Sequence, residues 1–165
     1  MNLVNKDIFE WIEENKEGNV IVLVHCISSD AALGAGIAKA IDEKYQERER
    51  LLKFFGEQLH WNGHGYGIIT PLLNIEDVSS HLQICNLITK EKYWQKPTYT
   101  SLFESLEYVK QTLKAIEDYA KREGLKLKIV MPKIGCGLDK LDWTRVREIV
   151  ALWAGLDIDV TVCYI

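Results

Sequence analysis

The sequence is poor in the features that mark a linker, a membrane span or a metal-stapled fold. Only three of its 165 residues are proline, namely Pro71, Pro97 and Pro132, each at the boundary of an apolar or periodic segment. With no proline-rich stretch, repeat or low-complexity segment to divide it, one domain over residues 1–165 is expected. No apolar run approaches the roughly 20 residues that cross a bilayer. Met1 to Asp7 also lacks the apolar core of a signal peptide, so an intracellular protein without a membrane partner is expected. Positive charge is scarce as well: 20 Lys and Arg stand against 24 Asp and Glu, for a net charge of −4. That balance argues against gripping nucleic acid by phosphate neutralisation, though not against a pocket that reads a modification carried on one. The four cysteines, Cys26, Cys85, Cys136 and Cys163, form no C-x-x-C pair. Each lies in or beside an apolar run, where a free thiol packs as a small hydrophobe, so neither a disulfide nor structural zinc is expected. His60 and His64 have H-x-x-x-H spacing, but Gly63 and Gly65 break any helix there, and a solvated loop is expected rather than a metal site.

Against these absences stand two glycine-bearing turns, each between an apolar strand-like run and a helix. The first spans Val22 to Lys39 and contains Gly34-Ala-Gly36; the second spans Ile129 to Trp143 and contains Gly135-Cys-Gly137. A turn of this kind collects backbone N–H groups at a helix start, where partial positive charge favours an anion. Two such turns in one domain point to a diphosphate held from both sides.

The remaining pattern alternates strand and helix. A short strand, Asn2 to Asn5, precedes a helix from about Asp7 to Lys16 with Ile8, Trp11 and Ile12 on one face. Asn19 to His25 reads as a buried strand. Residues 37 to about 55 read as helix broken near Tyr45, and Gly56 to Tyr66 as loop. Gly67 to Thr70 and His81 to Ile88 are strand candidates. From Ser101 to about Arg122 the residues Leu102, Leu106, Val109, Leu113, Ile116 and Ala120 recur at steps of three and four, and Gly124 ends that helix. Leu127 to Met131 is a further buried strand. Asp142 is placed to cap a helix with Trp143, Val146 and Ile149 on one face. Ile158, Val160, Val162 and Tyr164 alternate, predicting a closing strand with one face more exposed. These elements predict an α/β protein with a mixed sheet, helices on both faces, and a site beyond the carboxyl ends of the strands.

Three blocks in order carry a family resemblance: His25-Cys-Ile-Ser28 with Gly34-Ala-Gly-Ile-Ala38; Leu87-Ile-Thr-Lys90 with Lys96-Pro-Thr-Tyr99; and Met131-Pro-Lys-Ile-Gly-Cys-Gly-Leu-Asp-Lys-Leu-Asp-Trp143. Together they resemble the macrodomain, the three-layer α/β/α ADP-ribose-binding fold with a mixed central sheet, and within it the terminal ADP-ribose protein glycohydrolase branch. The turn after the Asn19–His25 strand, His25-Cys-Ile-Ser28, lacks the asparagine of many hydrolytic macrodomains, which points to the lysine-dependent branch. The resemblance implies Lys90 as nucleophile and Asp139 as catalytic aspartate. It places Asp7 and Ile8 at the adenine, Ser28, Gly34 and Gly36 at the distal ribose and diphosphate, and Thr89 beside the lysine. Lys133, Ile134, Gly135, Cys136, Gly137 and Leu138 would wrap the far side of the diphosphate, with Ile165 against the adenosine end. Where the family has glycine before the aspartate, this chain has Lys6.

The implied reaction releases mono-ADP-ribose from a glutamate or aspartate ester, without cofactor or metal. A neutral lysine amine forms a Schiff base with the ring-opened sugar, and an aspartate moves the protons. Read locally, each residue has a plainer role: a lone lysine after a strand is most often solvated, and an aspartate before a helix most often a cap. Cys136 has no neighbouring histidine to activate it and is expected to pack under the loop. Tyr93, Trp94 and Tyr99 either wall the substrate or pack. The expected partners are ADP-ribose and ADP-ribosylated protein, bound by a monomer. A non-catalytic ADP-ribose reader, removal of ADP-ribose from DNA bases and hydrolysis of O-acyl-ADP-ribose remain open alternatives.

Overall fold

A computed structural model describes residues 1–56, 59–71 and 81–165. Six strands, β1 (Asn2–Asn5), β2 (Asn19–Ser28), β3 (Tyr66–Pro71), β4 (His81–Lys90), β5 (Lys126–Met131) and β6 (Val160–Tyr164), form one sheet in the order β1-β6-β5-β2-β4-β3. Every pairing is parallel except that of β3 with β4, so the sheet is mixed. The helices among the described residues are α1 (Ile8–Asn15), α2 (Gly36–Tyr45), α3 (Glu47–Phe55), α4 (Tyr99–Arg122) and α5 (Trp143–Ala154).

Each face of the sheet is covered by a different set of helices. On one, Leu102, Leu106, Val109 and Leu113 of α4 and Val146, Val150 and Trp153 of α5 pack on Val22, Val24, Leu87 and Ile129. On the other, Ile8, Trp11 and Ile12 of α1 and Ile41 of α2 pack on Ile21, Leu23, Ile84 and Val130. Full burial of an aliphatic side chain contributes about 1.5–3 kcal/mol, so these two apolar layers are the main stabilising term. Local signals fix the helix ends. Thr98 and Ser101 form a reciprocal capping box at α4, while Asp7 caps α1 and Asp142 caps α5. The break between α2 and α3 falls at Gln46, in the left-handed region at φ 52°.

Two helix and strand faces differ from the sequence pattern. The buried stripe of α5 is Val146, Val150 and Trp153; Trp143 and Ile149 only flank it. The closing strand is buried on both faces, with Thr161 and Cys163 at 6% and 4% exposure. Its alternation misleads because β1 pairs outside it, making β6 an internal strand, and Cys163 packs with α1. Within the loop expected from Gly56 to Tyr66, residues 57–58 lie outside the described residues. Across the rest of it, His64 belongs to no helix; it is exposed and bonds through Nδ1 to Glu104 of α4.

The chain leaves β2 toward β4 and leaves β5 toward β6, so the connections diverge between β2 and β5. In an open α/β sheet that divergence opens a crevice at the carboxyl ends of the strands.

Candidate active site

A cleft of about 1150 Å³ occupies that crevice, lined by the segments that follow β1, β2, β4, β5 and β6. The two glycine turns meet across it. A Cβ added at Gly36, where φ is 58°, would lie 3.3 Å from Leu138 Cδ1 in the opposite turn. Helix α2 opens onto the cleft at Gly36 with no side-chain cap and no acidic residue in its first turn. Its N-terminal amides and dipole therefore suit a bound anion. Gly137 faces open space, so backbone on that side is accessible to a ligand.

The lysine and aspartate singled out in the sequence meet here. Lys90 ends β4 and Asp139 follows β5, yet the two side chains form an ion pair, at 11% and 17% exposure. Lys90 Nζ also donates to the Tyr93 carbonyl at 3.0 Å. A β-bulge aims the lysine: Ile27 pairs with Ile88, but Ser28 pairs with Lys90, so Thr89 is an extra residue. Bulges of this kind redirect side chains beside active sites.

The same bulge explains Thr89, the one expected site residue outside the cleft lining. It is buried, and its carbonyl accepts from Ser101 Oγ at 2.7 Å. Asp7, Ile8, Ser28, Gly34, Gly36 and Lys133 to Leu138 all line the cleft, as does Ile165. Asp7 Oδ1 already accepts the Phe9 and Glu10 amides, at 2.9 and 3.1 Å. The Lys133 ammonium lies 4.8 Å from the Tyr164 ring centroid and 5.6 Å from that of Trp143, which ties it to the β6 end.

The thiols are poor nucleophiles. Burial pushes Cys136 up to about 11, and its Sγ donates to the Ile134 carbonyl. Burial also raises Cys26, which lies at the cleft surface. The three aromatics divide: Tyr93 and Trp94 are 66% and 69% exposed and line the cleft, whereas Tyr99 packs away from it. Its ring stacks under Arg145 at 3.9 Å, and its hydroxyl accepts the Asp142 amide. No group of three or more His, Cys, Asp or Glu side chains positioned for a metal occurs among the described residues.

Asp30, Ala31 and Leu33 carry geometry that residue type alone does not advertise. Ala31 and Leu33 are left-handed at φ 51° and 42° without being glycine, a conformation costing about 1–2 kcal/mol each. Hydrogen bonds around Asp30 hold this strained turn, with its Oδ1 accepting the Ala32 amide at 3.2 Å.

Fold and cleft together define an α/β/α domain whose cleft suits an anionic ligand next to a lysine–aspartate pair. The chain is 32% identical over 149 residues to ADP-ribose glycohydrolase OARD1 of Bos taurus, a match covering 85% of this chain and 79% of that protein. The Homo sapiens OARD1 is 31% identical over the same extent. The macrodomain of Mycobacterium tuberculosis DarG superposes with a TM-score of 0.72 at 17% identity, covering 98% of this chain and 95% of that one. Thermosipho africanus DarTG in complex with ADP-ribose gives 0.63 at 17% identity, over 98% of this chain and 40% of that one. No family model matches the chain. The chain belongs to the macrodomain family.

Proposed function

We propose that the protein releases mono-ADP-ribose from glutamate and aspartate esters, with Lys90 as nucleophile and Asp139 as proton shuttle. The protein is an ADP-ribose hydrolase by its relationship to the OARD1 glycohydrolases. The observation that carries the finer reading is the Lys90–Asp139 pair, set in the lining of a cleft flanked by the two glycine turns.

The chemistry balances with these two groups and water. Lys90 passes a proton to Asp139, and its nitrogen then attacks C1″ of the distal ribose. The C1″–oxygen bond breaks and the side-chain carboxylate leaves, taking the electron pair. As the sugar ring opens, Asp139 gives its proton to the ring oxygen and takes one from the lysyl nitrogen, whose lone pair then forms the C=N bond of a protonated Schiff base. Water then adds to C1″, the carbon–nitrogen bond breaks, and ADP-ribose departs with Lys90 regenerated. Held geometry and a preformed ion pair make each transfer local.

The test is ADP-ribose release from a glutamate-linked mono-ADP-ribosylated protein, comparing wild type with Lys90→Ala. Release by wild type and loss of at least 10³-fold in the variant, with ADP-ribose still bound, supports the mechanism. Full activity in Lys90→Ala refutes it. Binding of ADP-ribose with no release by wild type would instead favour a reader or a nucleic-acid substrate. The exposed Tyr93 and Trp94 between Lys92 and Lys96 are the feature that favours the latter.

A further inference from the structure

We infer that Asp30 is a positioning residue for the reaction, acting on Lys90 through the backbone of Tyr93 and on the substrate through Ser28. Its action on Lys90 rests on the lysine mechanism above.

Two turns follow β2 and β4. They are stitched together by backbone: Ser29 N donates to the Lys90 carbonyl at 2.9 Å and Asp30 N to the Glu91 carbonyl at 3.2 Å. Ser29 Oγ adds a bond to the Glu91 carbonyl at 2.8 Å. These bonds fix where the second turn starts. They leave its tip, at Tyr93, to be held by another group.

Asp30 holds it. Its Oδ2 accepts the Tyr93 amide at 3.0 Å, and the Tyr93 carbonyl in turn accepts Lys90 Nζ at 3.0 Å. A lysine side chain has four rotatable bonds and many accessible rotamers. With the Tyr93 carbonyl and the Asp139 carboxylate both fixed, the ammonium is confined to one place in the cleft. Moving the carbonyl removes one of those two anchors. A displacement of about 1 Å at a reacting atom costs roughly a hundredfold in rate.

The other oxygen acts toward the ligand. Asp30 Oδ1 accepts from Ser28 Oγ at 2.5 Å while also accepting the Ala32 amide. The Ser28 proton is thereby committed to Asp30, because a carboxylate only accepts. Ser28 lines the cleft, and its oxygen is left with its lone pairs, so the residue offers an acceptor. It would therefore take a hydrogen bond from a ligand hydroxyl, such as one on the distal ribose, and would repel a ligand acceptor. A single carboxylate thus sets the nucleophile's position and the polarity of the serine beside it.

An amide at this position serves only one of the two roles. Asp30→Asn can turn its oxygen to the Tyr93 N–H, but its NH₂ then faces Ser28 Oγ and makes that oxygen an acceptor within the protein. Asp30→Ala serves neither. The experiment measures kcat for ADP-ribose release, the dissociation constant for free ADP-ribose and Tm. It does so for wild type, Asp30→Asn, Asp30→Ala, Lys90→Ala and the Asp30→Ala/Lys90→Ala pair.

The expected result is a kcat for Asp30→Ala about 10²-fold below wild type, with ADP-ribose affinity within about tenfold. Asp30→Asn should retain folding and an intermediate kcat. In the Lys90→Ala background the Asp30 substitution should cost less than its full loss of about 10²-fold in turnover, because the share that acts through Lys90 is already gone and only the share through Ser28 remains. Wild-type kcat in Asp30→Ala overturns the inference while leaving the lysine mechanism standing if Lys90→Ala is inactive. Fully additive losses in the double variant overturn it as well, since a purely structural defect would behave so. An active Lys90→Ala refutes the lysine mechanism instead, and is read directly from that single variant.

Discussion

Gly137→Glu isolates the role of the second glycine turn. A Cβ at Gly137 meets nothing within 4 Å, so a side chain there enters the cleft without displacing protein. The variant should therefore fold with a Tm close to that of wild type. Its carboxylate would stand near the place proposed for the diphosphate. At about 5–6 Å and an effective dielectric constant near 20, two like unit charges repel by about 3 kcal/mol. That repulsion corresponds to a loss of ADP-ribose affinity of roughly 10²-fold, given about 1.4 kcal/mol per factor of ten. Titration calorimetry with free ADP-ribose reads the change. Gly137→Gln, equal in size but uncharged, separates steric loss from charge. The charge component should shrink in high salt, as exposed charges are screened. Equal affinity in Gly137→Glu and wild type would refute the placement of the diphosphate against this turn.

Two further predictions concern stability. His25 is fully buried, and desolvation pushes its imidazole down to about 4, with Asn86 as its hydrogen-bond partner. A depressed pKa means the unfolded state takes up the proton first. The stability held above pH 6.5 should thus be lost progressively as pH falls toward 4, by up to about 3 kcal/mol. Urea melts across that range should show the slope, and His25→Gln should flatten it; an equal slope in the variant would assign the loss to other groups. At Gly65 an added Cβ would lie 2.0 Å from the Ser101 carbonyl oxygen and 3.0 Å from Ser105 N, both backbone atoms of α4. Gly65→Ala must therefore displace that helix, with a cost of at least about 1–3 kcal/mol seen as a lowered Tm; an unchanged Tm would contradict the packing.

What could be read from the sequence was whatever the local chain specifies. The period of Leu102, Leu106, Val109 and Leu113 located α4, and Asp142 announced the start of α5, because spacing and capping act over a few residues. The two glycine turns located the cleft for the same reason. The burial of β6 depended on its partner being β1, at the other end of the sequence, and alternation carries no information about pairing over that distance. The bulge that aims Lys90 and buries Thr89 is a mismatch between β2 and β4, visible only in their register. Ala31 and Leu33 hold left-handed backbone without glycine to advertise it, so the turn shaped by Asp30 left no trace in residue type.

The divergence of the chain between β2 and β5 has a thermodynamic consequence. Asp7, Lys90, Asp139 and Ile165 reach one cleft from the ends of four different strands, β1, β4, β5 and β6. No partly zipped sheet contains the whole cleft, so a ligand that fills it stabilises only the completed fold. Ligand occupancy and global unfolding become one linked equilibrium, in which a ligand at a hundred times its dissociation constant adds about 2.7 kcal/mol to the free energy of unfolding. The most protected amides of β2 and β5 should then exchange more slowly in proportion to ligand occupancy, although they lie in the core rather than at the cleft.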